Sequence, residues 1–448
     1  MLVAASPQGG HDFVSTNEGP MKRLAQLPLL IFSVVAVTFA QSSSPSEAKL
    51  SPAEQSMATD QGLIERNPKN HEAYNALALA LSHRARETSD VKFYAQAQAA
   101  LAKSFAISPN NFEGKKIEVS LLLGKHEFAA AREEALKLSQ RMPDDVMVYG
   151  FLADANVELG NYDDAERAAQ LMLDLRPGNS PAITHAAYLR ELFGDVDGAL
   201  ELMDLALQST SPGEAEGQAW ILSQMAQLRL TAGRIAEAEK NLDQALRLFP
   251  GYHYALGYLA KVRIAEKRYD EAVELLEGRY HAASNAENLY DLAQALELAG
   301  RIQEAKRAFA EFEQKSLLET DRADNSNREL IFYYAEHAHE PGKALEVAER
   351  ELARRHDVHT RDAYAWALHV NGKDQEARKQ IELALAVGIR EARMLWHAGE
   401  IALATGDRTD ARKFLEQAAD LNADDSDLAR ASLARIFDEK QEKSLPPL

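Results

Sequence analysis

The chain has 448 residues, too many for one small globule and enough for an extended array. Its 46% of hydrophobic residues excludes a disordered chain, and 69 acidic against 50 basic residues give a net charge of −19, which repels nucleic-acid phosphates. Cysteine is absent, which excludes disulfides, thiol catalysis, thiolate zinc sites and the lipid attachment of a bacterial lipoprotein.

Residues 1–20 show no periodicity. From Met21 the pattern changes: Lys22 and Arg23 are basic, Leu24 to Phe39 is apolar, and Thr38 and Ala40 are small. This resembles a secretory signal peptide cleaved after Ala40, with Met21 the expected start. Pro28 interrupts the run, which is short for a span, so no stable membrane span is expected after cleavage. Residues 41–52, rich in Ser, read as a linker.

A leading helix is predicted over Ala53–Arg66. The first full unit, His71–Asn111, has helices at Tyr74–Arg86 and Phe93–Ile107 around the insertion Glu87-Thr88-Ser89-Asp90. Phe112–Asp145 carries Gly124, Phe128, Ala131 and Pro143. Val146–Asn179 is the clearest unit. Two amphipathic helices, Val146–Leu159 and Tyr162–Leu175, are divided by Gly160, which takes a left-handed cap cheaply. Small Ala153 and Ala165 stand where two helix backbones must approach, and Pro177 stops the second helix. Ser180–Thr210 repeats the scheme with Gly194 and Ala199.

A polar break, Ser209–Gln218, reads as a hinge or long loop. The pattern returns in Ala219–Tyr252, His253–Ala286 and Ala286–Glu319, then meets a second break at Thr320–Asn327. Asn325–Asp357 is least regular, with Pro341-Gly342 in place of its turn. Val358–Glu391 and Ala392–Asp425 follow, then a final helix, Ser426–Glu439, and a loose tail.

Units of about 34 residues with Gly, Ala and Pro at fixed offsets resemble the tetratricopeptide repeat. The resemblance implies an all-α, right-handed superhelical solenoid of about ten helix-turn-helix repeats over residues 53–425. Residues 1–40 are then extension plus signal peptide, 41–52 linker, and 426–448 capping helix and tail. Each pair buries its apolar stripe against the next, so stability should be weakest at the two polar breaks.

In this family ligands lie on the concave face, reached from the second, fifth, ninth and twelfth places of each first helix. Those places imply a binding groove of Tyr188, Trp220, Tyr254, Tyr290, Tyr333, Trp366 and Trp396, interleaved with Gln227, Lys261 and Gln294. The tryptophans are expected to be partly exposed there. Aromatics with polar neighbours suit a protein or peptide ligand, or sugar rings by stacking. The Lys, Asn and Arg clamp by which some relatives grip a terminal carboxylate is missing: its places hold Asn75 and Leu79, Lys116 and Ser120, Gly150 and Asp154.

Late histidines, His337, His339, His356, His359 and His369, could converge on a metal only with carboxylate help such as Glu336; surface and turn positions explain them more simply. With no HExxH, phosphate loop or nucleophile elbow, no cofactor, metal or catalysis is expected. The sequence therefore reads as a non-enzymatic protein-binding scaffold exported to the bacterial cell envelope or periplasm, without nucleic acid. A module binding polysaccharide or peptidoglycan is the alternative. Partner identity and oligomeric state are open.

Overall fold

The computed structural model describes residues 50–444, except Ser89, 321–324 and 422–425, and side chains up to Ile436. The expected signal peptide and most of the linker lie outside the described residues. The described residues form one compact unit.

Helix α1 (Pro52–Arg66) leads, and ten helix pairs follow. They are α2 (His71–Thr88) with α3 (Lys92–Ile107), α4 (Phe112–Gly124) with α5 (Phe128–Arg141), α6 (Val146–Glu158) with α7 (Tyr162–Leu175), and α8 (Ser180–Leu192) with α9 (Val196–Ser209). Then come α10 (Ala215–Thr231) with α11 (Ile235–Leu248), α12 (His253–Ala265) with α13 (Tyr269–Ala282), and α14 (Ala286–Leu298) with α15 (Ile302–Leu317). The last are α16 (Asn327–Phe332), continued by a π-helical turn (Tyr333–His337), with α17 (Pro341–Leu352); α18 (Val358–Val370) with α19 (Asp374–Leu385); and α20 (Ala392–Ala404) with α21 (Arg408–Asp420). Helix α22 (Ser426–Ser444) closes the array, setting Ala429 and Ile436 against Leu395, Leu415 and Ala418. Among the described residues there is no strand and no helix long and apolar enough to cross a membrane.

Two small features recur and explain the pairs. The turn inside nine of them holds a left-handed residue: His126, Gly160, Gly194, Gly233, Lys267, Gly300, His339, Gly372 and Gly406. Five places on, at the start of the second helix, stands a fully packed alanine: Ala131, Ala165, Ala199, Ala238, Ala272, Ala305, Ala344, Ala377 and Ala411. The turn reverses the chain, and the alanine lets the two helices touch. Both series step by 33 or 34 residues, and by 39 across each polar break.

Gly124 ends α4 beneath the Tyr94 ring, and His126 makes the turn. Two local expectations are corrected. Pro341-Gly342 does not replace a turn. Pro341 opens α17, where its missing N–H is no loss, and His339 turns the chain. The break at 209–218 is short, because α10 already begins at Ala215. The described ends of the second break are tied down: Asn327 Nδ2 donates to Thr320 O at 3.2 Å and to Glu351 at 2.9 Å, all three residues being buried.

Candidate functional site

The array coils so tightly that one turn of the superhelix meets the next. The turns inside the early pairs form one edge, and the loops between the later pairs form the facing edge. His253 Nε2 lies 3.1 Å from Arg86 O, 167 residues away, and Arg86 also pairs with Glu216. Further along, His356 N donates to Glu158 O at 2.9 Å, and Val358 N donates to Tyr162 Oη, 196 residues away, at 2.9 Å. Arg355 pairs with Glu158 at 2.6 Å and Asp357 at 2.9 Å, and lies over the Phe128 ring. A Cβ on Gly160 would stand 2.8 Å from His356 O, and one on Gly388 would stand 2.8 Å from Phe193 O. These glycines let the two edges meet backbone to backbone.

The inner face of the coil holds a partly open chamber of about 820 Å³. Its lining comes mainly from the first helices α12, α14, α16, α18 and α20, with Tyr269 and Leu276 of α13 and the start of α22. The walls are charged. Lys261, Arg328 and Arg393 face Asp291, Glu329, Glu336, Asp362 and Glu391. Several are paired: Arg393 with Glu336 at 2.6 Å, His359 with Glu391 at 3.4 Å, His337 with Glu297 at 3.1 Å, and Asp362 with buried His397 at 2.8 Å. The lining continues toward the seam through Tyr258, whose hydroxyl donates to Gln227, and Gln227, which donates to Glu191. Tyr188, whose charged neighbours include Glu158, Glu191 and Asp357, stays 37% exposed, so water reaches this inner surface.

The electrostatics follow from enclosure. Burial pushes the Glu191 carboxyl up to about 7; His359 pulls against this and Glu391 adds to it. Burial also raises Glu158 to about 7 against the pull of Arg355. Glu391 is only partly covered; enclosure would raise it, but the His359 hydrogen bond and charge, with Arg328 and Lys261, hold it at about 2. His359 is raised in return: burial alone would lower it, and Glu391 outweighs burial. The chamber is thus a charged, water-accessible space suited to binding.

The ten sequence-predicted residues divide. Lys261 and Gln294 line the chamber, as does Tyr290, although Tyr290 is mostly packed against Phe309, Phe312 and His337. Gln227 and Tyr188 belong to the wall near the seam, and half-buried Tyr254 lies against His253. Trp220 packs at the margin of the core formed by α8 to α12. Tyr333 stacks on Phe309 and donates to Glu313 of α15, away from the chamber, because α16 begins at Asn327, two residues later than the unit was counted.

The expectation for Trp366 is overturned. It is 6% exposed and packed between His397, at 4.2 Å between ring centroids, and Trp396, at 4.8 Å. Trp396 is half-buried, its Nε1 donating to Ser432 of α22. The late histidines do not converge: His337, His359 and His369 each meet a different carboxylate, Glu297, Glu391 and Asp374.

Sequence reasoning missed Arg328 and Glu391 and named His359 only among the late histidines. His359 is the second residue of α18, a groove place by the rule already used, so that signal was available; Arg328 is second only when α16 is counted from Asn327.

Family models described as tetratricopeptide repeat match residues 118–180, 229–279 and 392–425, each across helix pairs seen in the structure. The chain carries tetratricopeptide repeats. A comparison with curated proteins gives no match. Among solved structures, the array is similar to "Human IFIT1 dimer with m7Gppp-AAAA", 16% identical with TM-score 0.48, over 82% of this chain and 85% of that one. It is also similar to "Crystal Structure of the Yeast Tom70", 15% identical with TM-score 0.39, over 88% and 97%. A third is "Crystal structure of APC/C hetero-tetramer Cut9-Hcn1", 14% identical with TM-score 0.45, over 77% of this chain; the tetratricopeptide array spans only 58% of the length of that chain. These similarities concern the fold.

Proposed function

We propose that the chain is a non-enzymatic protein-binding scaffold of the bacterial cell envelope, whose inner, concave face holds a peptide segment bearing basic side chains. The observation that supports this reading is the inner face: carboxylates outnumber cations in the chamber lining, and Glu191, outside that lining, has an amide but no cation as its hydrogen-bond partner. A basic side chain entering there would supply the missing charge, and Tyr188 and Tyr258 would offer ring faces to it. The same carboxylates disfavour a phosphate backbone. Sugar stacking has less to support it, since Trp366 is buried and Trp396 is half-covered. The envelope assignment rests on the basic start, apolar run and Ala40 of the leader.

The test is photo-crosslinking in envelope extracts from a probe at Gln227 inside, with a probe at Leu318, 79% exposed, as the outer control. The expected result is one defined protein captured at Gln227 alone, weakened by Glu191→Gln. Equal capture at both positions would overturn the reading. N-terminal sequencing of the native protein should begin at Gln41; a mature chain retaining residues 24–39 would contradict export by cleavage.

A further inference from the structure

Seven carboxylates line the chamber, and each lies within ion-pair distance of a nitrogen. The pairs of Glu297, Glu336, Asp362 and Glu391 are given above. Of the other three, Asp291 pairs with Arg279, Asp427 with Arg430 at 2.7 Å, and Glu329 with Nε of its chain neighbour Arg328 at 3.2 Å. The lining groups left without a partner are therefore bases, not acids. Arg328 uses only Nε; its two terminal nitrogens have no partner among the described residues, and its side chain is 49% exposed. Lys261 is exposed and meets no carboxylate among the described residues; its ammonium lies 5.8 Å over the Tyr258 ring. Lys267, the third such cation, sits on the turn after α12. Lys261 and Arg328 come from α12 and α16, line the same chamber, and both act on Glu391, so two separate helices bring them to one place.

We propose that Lys261 and Arg328 seat an acidic side chain of the bound segment, so that the ligand is a peptide with an acidic and a basic residue close together. This rests on reading the inner face as the binding site and adds the second charge to it. The two anchors are neighbours: the Tyr258 hydroxyl, beside Lys261, donates to Gln227, and Gln227 donates to Glu191. The two terminal nitrogens of a guanidinium match the two oxygens of one carboxylate, and an ammonium adds a point charge beside them. A segment bearing acid alone would enter against the chain's net charge of −19 and the lining carboxylates, so the basic residue beside it is what admits it. A segment bearing base alone would leave Lys261 and Arg328 facing like charge.

The probes are short peptides of equal length with an uncharged dye and an amidated end, in sets that hold Lys only, Glu only, Glu beside Lys, or neither. Binding to the full chain is read by fluorescence anisotropy. The mixed set should bind about tenfold tighter than the Lys set or the Glu set. Lys261→Ala and Arg328→Gln should each weaken the mixed set about tenfold and, by removing like charge, strengthen the Lys set. If Arg328→Gln does not fold, the exposed Lys261 decides through Lys261→Ala. A mixed set that binds no tighter than the Lys set, or that is untouched by both substitutions, would overturn the proposal. So would binding of the Glu-bearing sets only when their C-terminal end is left free, since the carboxylate would then be a chain end. The basic-segment reading fails separately, through a mixed set indifferent to Glu191→Gln.

Discussion

Gly194 and Gly372 hold the same place in two helix pairs and similar backbone angles, φ 81° and 71°. Only one has a neighbour. A Cβ on Gly194 would collide with the carbonyl oxygen of Gly388, while one on Gly372 would meet nothing within 4 Å. Gly160 belongs with Gly194; Gly300 and Gly406 belong with Gly372. The repeat thus uses one turn for two purposes. Everywhere it reverses the chain, and at two of these places it also lets one superhelical turn rest on another.

Alanine substitution separates the two roles. Gly372→Ala should cost about 1–2 kcal/mol, the penalty of a left-handed angle for an L-residue. Gly194→Ala should add a collision of roughly 1–3 kcal/mol. Denaturant melts of the two variants compare them directly, and equal destabilisation would mean that the edges do not touch.

Arg355 gives the next largest contrast. Arg355→Ala removes the cation shared by Glu158 and Asp357 and should cost roughly 1–3 kcal/mol. Arg301→Ala, on a turn outside the seam where Arg301 pairs with Glu304 at 2.6 Å, should leave the melting temperature close to that of the unmodified chain. Thermal unfolding of both at low salt checks this.

Tyr162 and Tyr269 each open the second helix of a pair, two residues after its left-handed turn residue. Tyr162→Phe loses the bond to Val358 N and should cost about 0.5–1.5 kcal/mol. Tyr269→Phe should leave the melting curve where it is.

The smallest effect is on pH dependence. Glu191 rises from 4.5 to about 7, so its share of stability is full below pH 4.5 and is lost as pH rises through 7. Glu191→Gln should flatten the decline in melting temperature between pH 5 and 8. Capture of a basic segment should strengthen over the same interval in the unmodified chain, as the carboxylate ionises. A pH profile unchanged by the substitution would place Glu191 in open water.

The helix pairs were legible because the residues that make them act locally. Gly160 and Ala165 do in one unit what Gly372 and Ala377 do in another, and their spacing survives in the sequence. The seam was not legible. It depends on small rotations compounded over five or six units, so nothing near Tyr162 points to Val358. Trp366 was misplaced for a related reason: its neighbours Trp396 and His397 come from the next pair, and their packing around it cannot be read from α18 alone. Tyr333 was misplaced because its unit was counted from Asn325, whereas α16 begins at Asn327, which makes Tyr333 the seventh place of the helix and not the ninth. Lys261 and Gln294 were found because their helices are regular and their places follow the repeat.

The central claim is that the two edges meet, and two amides report on it most directly. His356 N and Val358 N find their acceptors, Glu158 O and Tyr162 Oη, only across the seam, and Val358, as the first residue of α18, has no acceptor within its own helix. Amide exchange should show both protected, with Val358 losing protection in Tyr162→Phe while Thr360, bonded to its own Asp357, does not. Exchange of His356 and Val358 at the rate of free loop amides in the unmodified protein would contradict the closed coil.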